Sequence, residues 1–211
     1  MSKQRLALKE YANKYKMLNE IKDKNKNKTG KLFVISGPSG AGKGTLREKA
    51  LNDIKNLVYS ISCTTRKPRE GEVDGVQYRF ITREKFKDDI EKNLFLEYAH
   101  VHSDFYGTLK ADVMNELKAG NDVLLEIDVQ GALQVREQIP EAVLIFIAPP
   151  SMKELEKRLR NRHTESEEAL KIRLNNAAKE LELKNKYDFI VINDDLERAA
   201  AELRDLIKNK K

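Results

Sequence analysis

GPSGAGKGT, residues 37 to 45, decides the fold. It follows the apolar run Leu32, Phe33, Val34, Ile35 and precedes a helix-forming run from Leu46 to Leu51. Strand, glycine loop, helix is the context that a phosphate-binding loop requires. Glycines let the backbone wrap round an anion with its N–H groups turned inward. The helix that starts there presents unpaired N–H groups and a positive dipole end to the same anion. Lys43 can reach the outer phosphates as a mobile point charge. The G-x-x-x-x-G-K core is complete in Gly37, Gly42 and Lys43, with Pro38, Ser39, Gly40 and Ala41 between the glycines. The next position is Gly44, where Ser or Thr usually helps to hold magnesium; Thr45, one place later, is the candidate contact.

The chain around this loop has the means to bury a core. It has 211 residues, 40% of them hydrophobic, which marks one or two globular domains. No apolar run approaches the roughly 18 residues of a membrane span, and no apolar segment follows the lysine-rich start, so a secretory signal is not expected. One cysteine, Cys63, excludes an internal disulfide and suits a reducing compartment, with the cytoplasm as the expectation. The net charge of +6 is unevenly placed. Residues 1–31 hold ten Lys and Arg against three Asp and Glu, so the remaining residues balance at −1. The body is therefore not a basic, nucleic-acid-binding surface. Residues 1–30 read as a basic extension in which Tyr11, Tyr15, Leu18 and Ile21 recur at helical spacing, followed by the solvated linker KDKNKNKTG.

Beyond the loop, buried strands alternate with helices. Strands are expected at 32–36, 122–127, 142–148 and 188–192, and helices at about 82–93, 109–119, 129–135, 151–162, 165–186 and 193–210. Thr82 and Ser151 are placed to cap, and Thr164 to Glu167 has capping-box spacing. The alternation predicts an α/β fold: a three-layer core with a parallel sheet flanked by helices. Residues 64–108 break the pattern with polar, antiparallel-looking strands and read as an inserted subdomain. The glycine loop, Asp128 and the Asn193–Asp194 turn all fall at the carboxyl ends of strands, where such sheets bind ligands.

The charge pattern narrows the chemistry. Phosphoryl transfer needs positioning and positive charge around the transferring group. Lys43 stands on the donor side, Arg66 and Arg69 in the insert, and Arg158, Arg162 and Arg173 about the polar break HTES, residues 163–166. Arg162 and Arg173 flank this hinge, which suits a lid closing over phosphates. His100, His102 and His163 form no metal spacing with the cysteine.

Six stretches in order, GPSGAGKGT, ISCTTRKPREGEVDGVQYRF, FLEYAHVHSDFYGT, LLEIDVQGA, RLRNRHTESEEALKIRL and YDFIVINDDL, closely resemble guanylate kinase. The resemblance covers residues 31 to about 205. It implies transfer of the terminal phosphate of ATP to GMP with magnesium, on a core with a GMP-binding insert at about 62–108 and a lid at about 160–173. It leaves 1–30 as an extension and 206–211 as a tail. It implies that Arg66, Arg69, Glu72, Tyr78 and Tyr106 belong to the GMP site, four of them about its phosphate. Glu97 would hold the guanine edge, Ser62 and Thr108 would lie near its carbonyl, and Glu126 and Asp128 would lie near the base. Lys43, Arg162 and Arg173 would be the catalytic cations, and Gly37 to Thr45 with Asn193 would be the ATP site. The partners implied are ATP and GMP, with dGMP as a second acceptor; no membrane or nucleic acid is required, and self-association stays open. The alternative is an inactive guanylate-kinase-like binding module, but such modules usually lose parts of the loop that Gly37, Gly42 and Lys43 keep. Adenylate kinase shares GAGKGT but does not account for Glu97 or the arginine segment.

Overall fold

The computed structural model describes residues 29–51, 54–101, 103–161 and 166–209. Residues 1–28 of the basic extension, Arg162 and Thr164 lie outside them.

Leu32–Ser36 forms β1, and all five side chains are buried. The reason is its place in the sheet. β1 sits between β7 (Asp122–Glu126) and β8 (Val143–Ala148), in a parallel sheet completed by β2 (Leu57–Tyr59) and β9 (Phe189–Ile192), in the order β2-β7-β1-β8-β9. Both faces are covered. Leu32 and Val34 point into one core, with Val113, Val129 and Val135 from two helices. Phe33 and Ile35 point into the other, with Leu46, Ala199 and Leu203. A strand buried on both sides must be apolar at every position, and β8 repeats the pattern through Leu144 and Phe146 on one side and Ile145 and Ile147 on the other.

The covering helices are α1 (Lys43–Leu51) and α7 (Leu196–Asn209) on the second face, and α3 (Lys110–Lys118) and α4 (Val129–Gln138) on the first. α5 (Met152–Arg160) and α6 (Glu167–Glu182) pack together through Leu155, Leu159, Leu170 and Ala177. α6 ends four residues short of the expected Lys186 and tightens into a 3₁₀ turn, Leu183–Lys186. Its cap is Ser166, whose hydroxyl accepts from Ala169 N at 3.3 Å, rather than Thr164. Both residue types can cap, so the spacing alone did not choose between them. Thr82 and Ser151 cap as expected, and Asp128 caps α4 by accepting from Gly131 N at 2.9 Å.

The insert is a separate four-stranded sheet, β4-β3-β6-β5, built from β3 (Cys63–Thr64), β4 (Arg79–Phe80), β5 (Phe95–Val101) and β6 (Asp104–Leu109). It is mixed rather than antiparallel throughout, because β3 pairs parallel with β4 while β6 runs antiparallel to both β3 and β5. The alternation of Val76, Tyr78 and Phe80 marks a strand, but alternation carries no direction, so it could not show that β4 runs parallel to β3. Phe86 of α2 (Arg83–Glu91) forms the centre of the small core, stacked on Phe95 at 4.4 Å and Phe105 at 5.4 Å between ring centroids. Cys63 lies in the same cluster, and burial pushes its thiol up to about 11, so it packs rather than reacts. Phe86→Ala would empty the middle of a core with few other members. It is expected to cost about 3–5 kcal/mol, read as a lowered midpoint in denaturant unfolding.

Candidate active site

The glycine loop leaves the carboxyl end of β1 and turns at once. Gly37 has φ +142°, and a Cβ there would lie 2.2 Å from the Ile147 carbonyl oxygen, so only glycine lets the loop cross β8 this closely. Ala41 N donates to Pro38 O at 3.1 Å, which closes the turn before α1 begins at Lys43. Lys43 Nζ reaches over the loop and donates to Gly37 O at 2.6 Å and to Pro38 O at 3.2 Å. Asn193, buried at the end of β9, braces the loop from outside: its Nδ2 donates to Ala41 O at 2.8 Å, and its carbonyl accepts from Arg158 Nη2 at 2.9 Å. A Cβ on Gly42 would lie 2.5 Å from that Nδ2, while the Cβ position on Gly44 comes no nearer than 3.5 Å to Glu126 Oε1. Thr45 is exposed.

A cavity of about 540 Å³ runs from this loop into the insert. Gly37, Ser39 and Lys43 line one end, and Ser62, Tyr78, Glu97 and Tyr106 line the other. Between them stand Glu126, Asp128 and Arg173. Arg173 Nη2 donates to Ser39 Oγ at 2.7 Å, so α6 meets the phosphate loop through a guanidinium. Glu126, at the end of β7, is held on the loop side by Arg47 of α1 at 2.9 Å, and that guanidinium lies 4.3 Å from the centre of the Tyr59 ring.

At the far end, Glu97 is 3% exposed. Thr108, fully buried beside it, donates from Oγ1 to Glu97 Oε1 at 2.6 Å. Burial pushes the Glu97 carboxyl up to about 7 against the Thr108 hydrogen bond, and the nearby Asp128 charge adds to the rise. Tyr98 faces the other way and is exposed. Tyr78 and Tyr106 meet edge to face at 5.8 Å. Arg66 lies over the Tyr78 ring at 5.4 Å and is held by Glu72 through two bonds of 2.9 Å. The same Glu72 accepts from Arg69 N at 2.7 Å, and the Arg66 pair keeps its carboxyl down at about 2. Thus Glu72 orders the arginine loop and Arg66 stands beside Tyr78, while none of Arg66, Arg69 and Glu72 lines the cavity.

These positions make one site from distant parts of the chain: a phosphate loop, an arginine helix, and a buried carboxylate in a polar, tyrosine-lined insert. The guanylate kinase family model matches residues 29–210. The chain belongs to the guanylate kinase family. It is 53% identical over 180 residues to the guanylate kinase of Caldanaerobacter subterraneus subsp. tengcongensis, across 85% of this chain and 87% of that one. It is 52% identical over 180 residues to the guanylate kinase of Fusobacterium nucleatum, across 85% and 97%. The crystal structure of guanylate kinase from Anaplasma phagocytophilum superposes with a TM-score of 0.71 at 33% identity, covering 87% of each chain. As a guanylate kinase, the chain is a nucleoside monophosphate kinase, a phosphotransferase. No helix among the described residues is long and apolar enough to cross a membrane.

Several wall residues of this guanylate kinase were not singled out from sequence. Asn176, Glu180 and Leu183 lie three, seven and ten places after Arg173, so one face of α6 and its 3₁₀ turn lines the cavity. That spacing was readable once Arg173 had been chosen. Burial raises the Glu180 carboxyl, Lys43 opposes the shift, and Asp128 adds to it. The donor set suits magnesium that arrives on a nucleotide. No group of three or more acidic, histidine or cysteine residues among the described residues could hold an ion alone. Magnesium characteristically takes one or two carboxylates plus substrate phosphates and water, and Glu126 and Asp128 supply such carboxylates on the cavity wall.

Proposed function

We propose that this chain transfers the terminal phosphate of ATP to GMP, giving ADP and GDP. The observation that carries the reading is a buried carboxylate, Glu97, in the same cavity as Lys43 and the glycine loop. A buried carboxylate that costs the empty site stability needs a partner with matching donors. Guanine offers N1–H and N2–H₂ side by side. Adenine does not, and would leave the carboxylate unpaired; sites of this kind discriminate by about 10⁴ or more.

The remaining roles follow from chemistry. The glycine loop, residues 37–45, cradles the ATP phosphates with inward N–H groups, and Lys43 neutralises the outer ones. Asn193 holds the loop's outer wall, next to the expected place of adenine. Residues 62–108 form the acceptor subdomain. Arg66, Arg69, Tyr78 and Tyr106 gather the GMP phosphate, with Glu72 setting the arginines, and Ser62 and Thr108 flank the base carbonyl. Arg173, with Arg162 on the other side of the 160–173 lid, brings charge to the phosphoryl group in flight. Glu126 and Asp128 would hold magnesium arriving on ATP, where it would neutralise phosphate charge, and the exposed Thr45 is not expected to touch it.

The test is ADP release from magnesium-ATP with GMP, dGMP, AMP, CMP and UMP as separate acceptors. Fast turnover with GMP, some with dGMP and almost none with AMP is the expected result. AMP equal to GMP would contradict the reading, and no turnover from folded protein would favour the inactive binding module.

A further inference from the structure

The base-reading carboxylate does not reach its place by ordinary strand geometry. Phe95 of β5 pairs with Leu109 of β6, but Glu97 pairs with Thr108, so two steps on β5 match one on β6. Leu96 is the extra residue of a β-bulge. Without it, Phe95 and Glu97 would share a face. With it, Phe95 and Tyr98 lie together on one face, their rings 6.3 Å apart, while Glu97 turns to the face of Thr108.

β5 is an edge strand, and α4 of the core covers that edge. Gln138 Nε2 donates to the carbonyl of the bulged Leu96 at 2.6 Å, and Lys110 Nζ donates to its Oε1 at 3.2 Å. Gln134 acts as a substitute strand: its Oε1 accepts from Tyr98 N at 3.1 Å, and its Nε2 donates to Tyr98 O at 2.8 Å. The backbone is therefore clamped on each side of Glu97. One helical turn before Gln134 stands Gly131, where an added Cβ would lie 2.3 Å from Glu97 Oε2 and 3.1 Å from its Cδ.

We infer that the α4 face of Gly131, Gln134 and Gln138 is a specificity-determining seat for Glu97, fixing the β5 bulge and leaving room only for a carboxylate aimed at the acceptor base. These are positioning residues that act through Glu97, so the inference rests on the proposed base reading. It also ties the acceptor subdomain to the core through two glutamine side chains rather than through a continuous sheet. Alanine at 131 keeps the N–H that Asp128 accepts and is the better helix former. A merely structural view therefore expects Gly131→Ala to be harmless.

The experiment is steady-state kinetics on Gly131→Ala, Glu97→Ala and the double variant, with thermal unfolding of each. The expected result for Gly131→Ala is a thermal midpoint at or above that of the parent. KM for GMP should rise about 10²-fold, as for other misplacements of about 1 Å, with KM for ATP within about twofold. Added to Glu97→Ala, the same change should have almost no further effect, because the group it collides with is gone. Parental GMP kinetics in Gly131→Ala would overturn the inference, as would equal losses for GMP and ATP or an undiminished loss in the Glu97→Ala background. Should Gly131→Ala not fold, Gln134→Ala/Gln138→Ala decides: a rise of about tenfold or more in KM for GMP alone supports the seat, and no selective rise overturns it. Unchanged GMP kinetics in Glu97→Ala itself would instead remove the base reading beneath it.

Discussion

Lys43→Ala is expected to lower kcat by about 10³-fold or more, the scale on which a preorganised charge contact to a transition state is lost. Lys43 is the first residue of α1, its ammonium lies over the carbonyls of Gly37 and Pro38, and it shares the cavity with Arg173. Phosphoryl transfer asks the protein for little except positioning and charge, so no nearby group replaces what Lys43 supplies. Two of its partners in the fold are carbonyls of its own loop, and the core lies beneath Leu46 and Ala50. The variant should therefore keep its circular dichroism spectrum and most of its unfolding midpoint. A folded Lys43→Ala enzyme with near-parental kcat would remove Lys43 from the mechanism.

Glu97→Gln is expected to trade function for stability. An amide has one acceptor oxygen and presents N–H groups where guanine also presents N–H, so kcat/KM for GMP should fall by about 10³-fold or more, in line with hydrogen-bonding pockets that lose their match. The stability change has the opposite sign. Burial raises the Glu97 carboxyl from 4.5 to about 7. Below 4.5 both folded and unfolded chains hold the proton, and the group contributes nothing. Between 4.5 and 7 the folded chain keeps a proton that the unfolded chain has released, so stability falls as pH rises. Above about 7 both are ionised, and the full cost, roughly 3 kcal/mol, is in place. Glu97→Gln should therefore unfold later than the parent at pH 8 and at the same point near pH 4.5, as read by denaturant unfolding at the two pH values. No difference between them at pH 8 would contradict the burial argument.

Much of this was legible from sequence for a physical reason: the deciding signals were local. A doubly buried strand must be continuously apolar, a phosphate loop needs its glycines in order, and Thr82 and Ser151 cap the helices that follow them. The carboxyl ends of β1 and β7 then bring Lys43, Glu126 and Asp128 together by topology. What stayed hidden depends on contacts far along the chain. The bulge at Leu96 is held by Gln138, 42 residues on, so strand alternation alone could not say that Glu97 is buried behind Thr108. The parallel pairing of β3 with β4 stayed hidden because the alternation of Val76, Tyr78 and Phe80 marks a strand without giving its direction. The motif marked Asn193 as an expected ATP-site residue, but it gave no sign of its grip on the Ala41 carbonyl, 152 residues away. The α6 wall of Asn176 and Glu180 had a readable spacing from Arg173, and only the choice of face was missing.

The central claim is that a buried, base-reading carboxylate selects the acceptor, and its most direct test is kcat/KM for GMP from pH 5.5 to 8.5, in the parent and in Glu97→Gln. This ratio reports the free enzyme's essential groups. GMP needs the ionised carboxylate, so the parent should lose about tenfold per pH unit below an inflection near 7, and Glu97→Gln should be low throughout and lack that inflection. The same inflection in both enzymes, or a parent profile flat across the range, would contradict the account.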